Sequence, residues 1–431
     1  MRYLAIIILP LVTIFAAPLT AQSKSAEVRL ARMVTKAKDN IDKLIAAAKF
    51  AKKNKLSDRA DELYGKVLAN QPDHKEAHEA LGHKLEGDRW TAEVDGIWVE
   101  MSQKADAMGG TFFHDGNRVS AWEKKKLLEG YVRHKYTRML IPAADAEKAD
   151  AGQFRLENGE WGDLAAADKF HNSTTNPWVL RTKYCYLVSP LPYQTLSQQV
   201  WGVIDSCLPK LRVICGGNEC HPDRIPVVLV VPTTADYVKF GDAYGAAGSA
   251  HGAFLADSQQ FTLKIAGKSR PVAACNWGAK GWGPYYARHA AGLAIADSYF
   301  GKEAADIPIW FKRGLAGYAS RLFSDQIATY FGKQHARYSS PEDLAKWISG
   351  FSISGDNPQS GANTNDYNIY QAGLLIKFCM RGGDKESTEA LMAVTKAMSE
   401  GKGISAAVKK LGAVLGTKSD EVAIYLEKIT G

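Results

Sequence analysis

His289 is the residue of this 431-residue chain best placed to do chemistry. It lies in Arg288-His289-Ala290-Ala291-Gly292-Leu293, ahead of a second stretch, Trp310-Phe311-Lys312-Arg313-Gly314-Leu315-Ala316-Gly317-Tyr318. Two imidazoles at i and i+4 ligate one metal because those positions share a helix face, and a catalytic zinc needs three protein ligands plus an open position for water. Here the i+4 residue is Leu293, which has no lone pair, and Ala290 offers nothing to take a proton from bound water. Arg313 stays protonated and repels a divalent cation. These residue types predict neither zinc nor hydrolysis at this place.

The two stretches resemble the active-site helices of gluzincin-type, peptidase MA-like zinc peptidases, in which H-E-x-x-H is followed by a W-x-x-E-G-x-A-E-Y-like segment. On that resemblance His289 stands on the first histidine, Ala290 on the general base, Leu293 on the second histidine and Arg313 on the third ligand, 20 positions beyond Leu293. A second register sets Tyr285-Tyr286-Ala287-Arg288-His289 on H-E-x-x-H and lengthens the gap to 24 positions. Either way the base is lost and Arg313 replaces an acid. The resemblance runs over residues 175–431. Pro177–Tyr186 resembles the strand that opens such domains, leading into a helix near Tyr193–Leu211, and Tyr370–Leu375 resembles their C-terminal helical part. It implies an exported pseudopeptidase with a peptide- or protein-binding role. His289, Arg313 and Tyr318 are then the ligand-binding candidates, arginine being suited to a bidentate carboxylate. The alternative is a buried amphipathic helix that carries a satisfied core histidine.

The elements that must position these residues are legible in outline. Arg224–Val231 reads as a buried strand by its β-branched run, Phe261–Val272 holds further strands, and Pro284–Phe300 is the helix that carries His289. Helices Ile369–Met380 and Lys385–Ser399 follow, Gly382-Gly383 stopping the first. The expected fold is α+β: a small sheet packed on the degenerate active-site helix, a helical C-terminal lobe and an N-terminal helical hairpin region. Residues 22–86 are helical, and Asp61–Leu68 with Pro72–Gly82 resembles a tetratricopeptide-like pair. Residues 87–174 form a hairpin and connecting region, with a short hairpin at Gly87–Val99 and a charged helix around Ser120–Leu140. Ala246–Gly252 is a small-residue loop.

Residues 1–21 read as a secretory signal, Arg2 preceding a short apolar core interrupted by Pro10, so the expected location is periplasmic or extracellular. No stretch reaches the roughly 18 apolar residues of a spanning helix. At 46% hydrophobic and 10% aromatic the composition is that of a folded chain. The net charge of +8, from 54 basic against 46 acidic residues, is scattered and marks no nucleic-acid module.

Six cysteines, Cys185, Cys207, Cys215, Cys220, Cys275 and Cys379, predict up to three disulfides in an exported chain, with 15 pairings open. Cys215, Cys220 and His221 form a spaced-out variant of the C-x-x-C-H haem attachment sequence, for which disulfide is the preferred reading. His74 and His78 lie four apart with His83 nearby, half of a metal site against the simpler reading of solvated histidines. Asn172-Ser173-Thr174 matches a glycosylation acceptor. Two other functions stay open: a hydrolase recruiting His251, His289 or His335 with acids such as Asp297 or Glu303, and a structural envelope protein that binds through its N-terminal helices.

Overall fold

Apolar residues at helical spacing open the chain, and alternating ones build the sheet further on. The computed structural model describes residues 21–244, 253–255, 260–300, 307–321 and 372–430. The chain divides into two compact units, 1–109 and 110–431. Of the signal expected over residues 1–21 all but Ala21, and the expected loop Ala246–Gly252, lie outside the described residues. Among the described residues no helix is long and apolar enough to cross a membrane.

The first unit begins with α1 (Ala21–Ala37), α2 (Ile41–Lys53), α3 (Ser57–Asn70) and α4 (Lys75–Ala80). Leu44, Ala47, Ala48 and Ala51 of α2 close on Ala60, Leu63, Tyr64 and Val67 of α3, small residues letting the helices approach. The expected second helix over 72–82 shrinks to six residues, because His74, not Asp73, takes the cap position and the chain turns out after Ala80. The hairpin gains a strand: β1 (Lys84–Glu86), β2 (Arg89–Val94) and β3 (Ile97–Glu100) form an antiparallel sheet, followed by α5 (Lys104–Met108). Asp95 and Gly96 both have positive φ (52° and 74°), the pair a two-residue hairpin turn requires.

The connecting region is more ordered than its sequence suggests. It comprises β4 (Phe112–His114), β5 (Asn117–Val119), α6 (Ala121–Leu128), β6 (Tyr131–Arg133), β7 (Leu140–Pro142), α7 (Ala146–Asp150), β8 (Phe154–Arg155), β9 (Trp161–Gly162) and α8 (Leu164–Phe170). This is one unit repeated, a hairpin followed by a short helix, and β2, β3 and α5 already have the same order. The repeats start at residues 89, 112, 131 and 154, and the first three close on a left-handed glycine, Gly110, Gly130 and Gly152. The long charged helix expected over 120–140 is therefore absent. Ser120 and Glu123 cap α6 reciprocally, and Gly130, at φ 85°, ends it and opens the next hairpin.

The central sheet has the order β10-β11-β12-β16-β13, with β10 (Trp178–Arg181), β11 (Tyr186–Ser189), β12 (Val227–Val231), β13 (Ala253–Leu255) and β16 (Val272–Asn276). The single strand expected over 177–186 is a hairpin, since Thr182 Oγ1 accepts from the backbone N–H of Tyr184 and Cys185 and reverses the chain. β11, β12 and β16 run parallel, and β10 and β13 are antiparallel edges. α9 (Tyr193–Thr195) and a π-helical stretch, Leu196–Val200, lead into α10 (Trp201–Ile214), the crossover between β11 and β12; α11 (Thr234–Tyr244) follows β12. Alternation along β12 splits the core: Val228 and Val230 face α10, while Val227, Leu229 and Val231 face Tyr237 of α11. The hairpin of β14 (Leu263–Ile265) and β15 (Lys268–Arg270) turns through Ala266 and Gly267, both at positive φ, and Ile265 joins the second face.

β16 leads into α12 (Gly283–Phe300), which packs on the same face as α10, and α13 (Ile309–Arg321) crosses it. A helical segment over 372–382, ending in a π turn at Phe378–Gly382, precedes α14 (Lys385–Glu400), α15 (Ile404–Thr417) and α16 (Ser419–Thr430). The architecture is α+β, with the sheet on the His289 helix and a helical C-terminal part, as the sequence predicts.

Candidate functional site

The position of His289 is set by glycine. A Cβ on Gly292 would fall 2.6 Å from Ala316 Cα, and one on Gly373 would fall 2.8 Å from the Gly317 carbonyl carbon. α12, α13 and the 372–382 helix thus meet backbone to backbone, closer than side chains permit. Ala290 is fully buried and Leu293 is 3% exposed, both in the main core. Both positions therefore place hydrocarbon in the interior beside His289.

His289 is itself buried, and its Nδ1 lies 3.4 Å from Ser320 Oγ. That hydroxyl spends its proton on the Gly317 carbonyl at 3.0 Å, so Ser320 accepts from the ring. Ser320 is seven residues beyond Arg313, two helical turns or roughly 10 Å along α13. The helix register therefore brings His289 to Ser320 and sets Arg313 level with the C-terminal half of α12. Arg313 is half-buried. Tyr318 is buried and hydrogen-bonded to Arg381, and burial pushes its hydroxyl pKa up in spite of that neighbour. His289 lies on α12, and Arg313 and Tyr318 lie on α13.

The other candidates resolve as follows. All six cysteines are free thiols, which replaces the expected disulfides. Five are buried in the core, Cys275 on β16, Cys207 on α10 and Cys379 on the π turn among them, and Cys220 packs against it partly buried. Burial holds Cys185, Cys207 and Cys379 up to about 12 and raises Cys215 well above the ordinary thiol. Of the haem-like trio, Cys215 is fully buried, Cys220 bonds Tyr299, and His221 Nδ1 accepts from the Asp223 N–H at 3.2 Å as a helix cap. Cys215 is thus turned into the protein, while His221 lies at a solvent-open surface. Nearby, Arg118, Asn218, Glu219, His221, Tyr299 and Phe300 line a polar cleft of about 220 Å³, in which Arg118 pairs with Glu219 at 3.5 Å.

His74 and His78 do not face a common metal. His74 Nδ1 accepts from the Ala77 N–H to cap α4, while His78 is buried and turns to His83, its Nδ1 2.8 Å from that of His83. Neither solvated histidines nor half a metal site describes this arrangement. Among the described residues no three His, Cys, Asp or Glu side chains gather at metal-binding distance. His251, His335 and Glu303 lie outside the described residues, as does the side chain of Asp297. Compared with profiles of known protein families, with characterised proteins and with solved structures, the chain matches none.

Proposed function

We propose that this chain is an exported, non-catalytic relative of gluzincin-type zinc peptidases that works by recognising an extended peptide or protein segment. One observation carries the reading: at the place where such an enzyme opens to zinc and water, His289 is turned onto Ser320 inside a helix pair closed by Gly292 and Ala316. The resemblance in sequence and the order of strand β16, helix α12 and crossing helix α13 support descent from a peptidase. The hydrocarbon at Ala290 and Leu293 supports the loss of its chemistry.

The recognition surface then moves from His289 to the sheet. Among the described residues β13 is an antiparallel edge bonded to β16 alone, and an extended segment adds to such an edge by backbone hydrogen bonds. Two measurements test the reading. Elemental analysis after zinc incubation and dialysis is expected to find no stoichiometric zinc; one zinc per chain overturns the non-catalytic reading. Peptides selected on the purified chain are expected to slow hydrogen exchange at Ala253–Leu255. Selected peptides that protect α1–α4 instead favour binding through the N-terminal unit, whose helices close their own core.

A further inference from the structure

A buried line of nitrogen atoms joins the helices of the N-terminal unit to its three-stranded sheet. His78 Nε2 lies 2.6 Å from the Pro72 carbonyl, His78 Nδ1 lies 2.8 Å from His83 Nδ1, and His83 Nε2 lies 3.1 Å from Lys104 Nζ. These groups come from the α3–α4 connection, α4, the segment before β1 and the start of α5. Trp90 of β2 stacks on the His78 ring at 4.2 Å and 7°. The same ring is both a link in the line and the packing contact between α4 and β2.

Donor and acceptor chemistry fixes every proton in it. The Pro72 carbonyl only accepts, so His78 carries its hydrogen on Nε2. A neutral ring then leaves Nδ1 as an acceptor, which makes His83 the donor through its own Nδ1. His83 Nε2 is left to accept from the Lys104 ammonium, which only donates. One arrangement satisfies all three contacts, and both rings are neutral in it. A further proton on His78 would set Nδ1–H against Nδ1–H, and one on His83 would set Nε2–H against an ammonium.

We propose that the His78–His83–Lys104 line is an acid-sensitive latch, holding the three-stranded sheet against the helices of this unit while both rings are neutral and releasing it when a ring is protonated. Its environment favours the neutral form. Burial, then the Lys104 charge, then His78, push His83 down from 6.5 to about 4. His78 also lines a cleft of about 310 Å³ with Asp73, Asp88, Arg89 and Glu100, which gives protons a path from solvent. A released His83 titrates at its ordinary value and the latched one near 4, so the released state binds more protons between the two. The stabilisation is therefore complete above pH 6.5, declines as pH falls, and is gone below about 4.

Hydrogen exchange on the full chain, corrected for the pH dependence of the chemical rate, reads the latch directly. Protection over residues 89–100 is expected to fall roughly tenfold between pH 7 and pH 5 while β11 and β12 stay constant. His83→Gln, whose amide can donate to His78 and accept from Lys104 without titrating, is expected to flatten that response. Constant protection in the native chain, or an undiminished fall in H83Q, overturns the proposal. Should H83Q fail to fold, ring nitrogen shifts of the native chain at pH 6 decide. Neutral rings with Nε2–H on His78 and Nδ1–H on His83 support the latch, and a protonated ring or the opposite tautomers overturn it.

Discussion

The two units each bury histidine, by opposite means. In the larger unit His289 sits where glycine and alanine bring helices into backbone contact, and its ring meets one hydroxyl at 3.4 Å. In the smaller unit His78 and His83 are bound end to end, with contacts of 2.6, 2.8 and 3.1 Å and a tryptophan laid on one ring. The first site lies at a backbone-to-backbone helix crossing fixed by glycine and alanine. The second is held by polar contacts that exist in one protonation state. The stretch that the sequence singles out is thus densely packed, and an unmarked trio of residues carries the shorter polar contacts.

The packing half of this contrast breaks most completely at Gly292. Gly292→Val places a branched side chain where even a Cβ lies 2.6 Å from Ala316 Cα. Backbone cannot give way as a side-chain tip can, so we expect a loss of at least about 3 kcal/mol, or failure of the larger unit to fold. Chemical denaturation followed by near-ultraviolet circular dichroism measures it. A loss under about 1 kcal/mol would mean that α12 and α13 are not in backbone contact, and the filled-site reading would fall with it.

The polar half breaks at His78. His78→Ala strips His83 Nδ1 of its acceptor, frees the Pro72 carbonyl and removes the ring under Trp90. Leaving buried groups unsatisfied costs about 1–3 kcal/mol, and the lost packing adds to it, so roughly 2–3 kcal/mol is expected at pH 7.5. Because the native latch weakens in acid, the penalty should shrink as pH falls from 6.5 toward 4. Urea titrations of native and variant chains at several pH values give the difference. A penalty independent of pH would assign His78 to packing alone and erase the contrast with His289.

What the sequence conceals follows the same division. Strand β12 is legible because Val227–Val231 is a β-branched run, and α12 because its apolar residues and the later Trp310–Tyr318 segment fit a known pattern. The hairpin–helix repeat over 89–172 escapes, since its units share almost no residues. Its available signal is the spacing of turn pairs, Asp95-Gly96, Asp115-Gly116 and Asn158-Gly159, with the helix-ending Gly110, Gly130 and Gly152. The thiols mislead because an even count, read together with an expected signal segment, argues for bridges, whereas burial in an apolar core is a property of tertiary packing. His78 and His83 are five apart, a spacing that no helix face or strand brings together. Only the turn after Ala80 and the arrival of Lys104 from α5 make them a pair.

The finest test concerns the contact between His289 and Ser320. Ser320 Oγ donates to the Gly317 carbonyl at 3.0 Å and accepts from His289 at the long distance of 3.4 Å. A contact of that length lies beyond the usual range for N–H···O and contributes little. Ser320→Ala keeps the volume of the helix face nearly unchanged and removes only the oxygen, so we expect a loss below about 1 kcal/mol and no change in zinc content. Thermal denaturation against the native chain resolves a shift of that size. If the variant instead loses 2 kcal/mol or more, His289 depends on its hydroxyl as strictly as His78 depends on His83, and the larger unit would hold a second polar device where packing now suffices as the explanation.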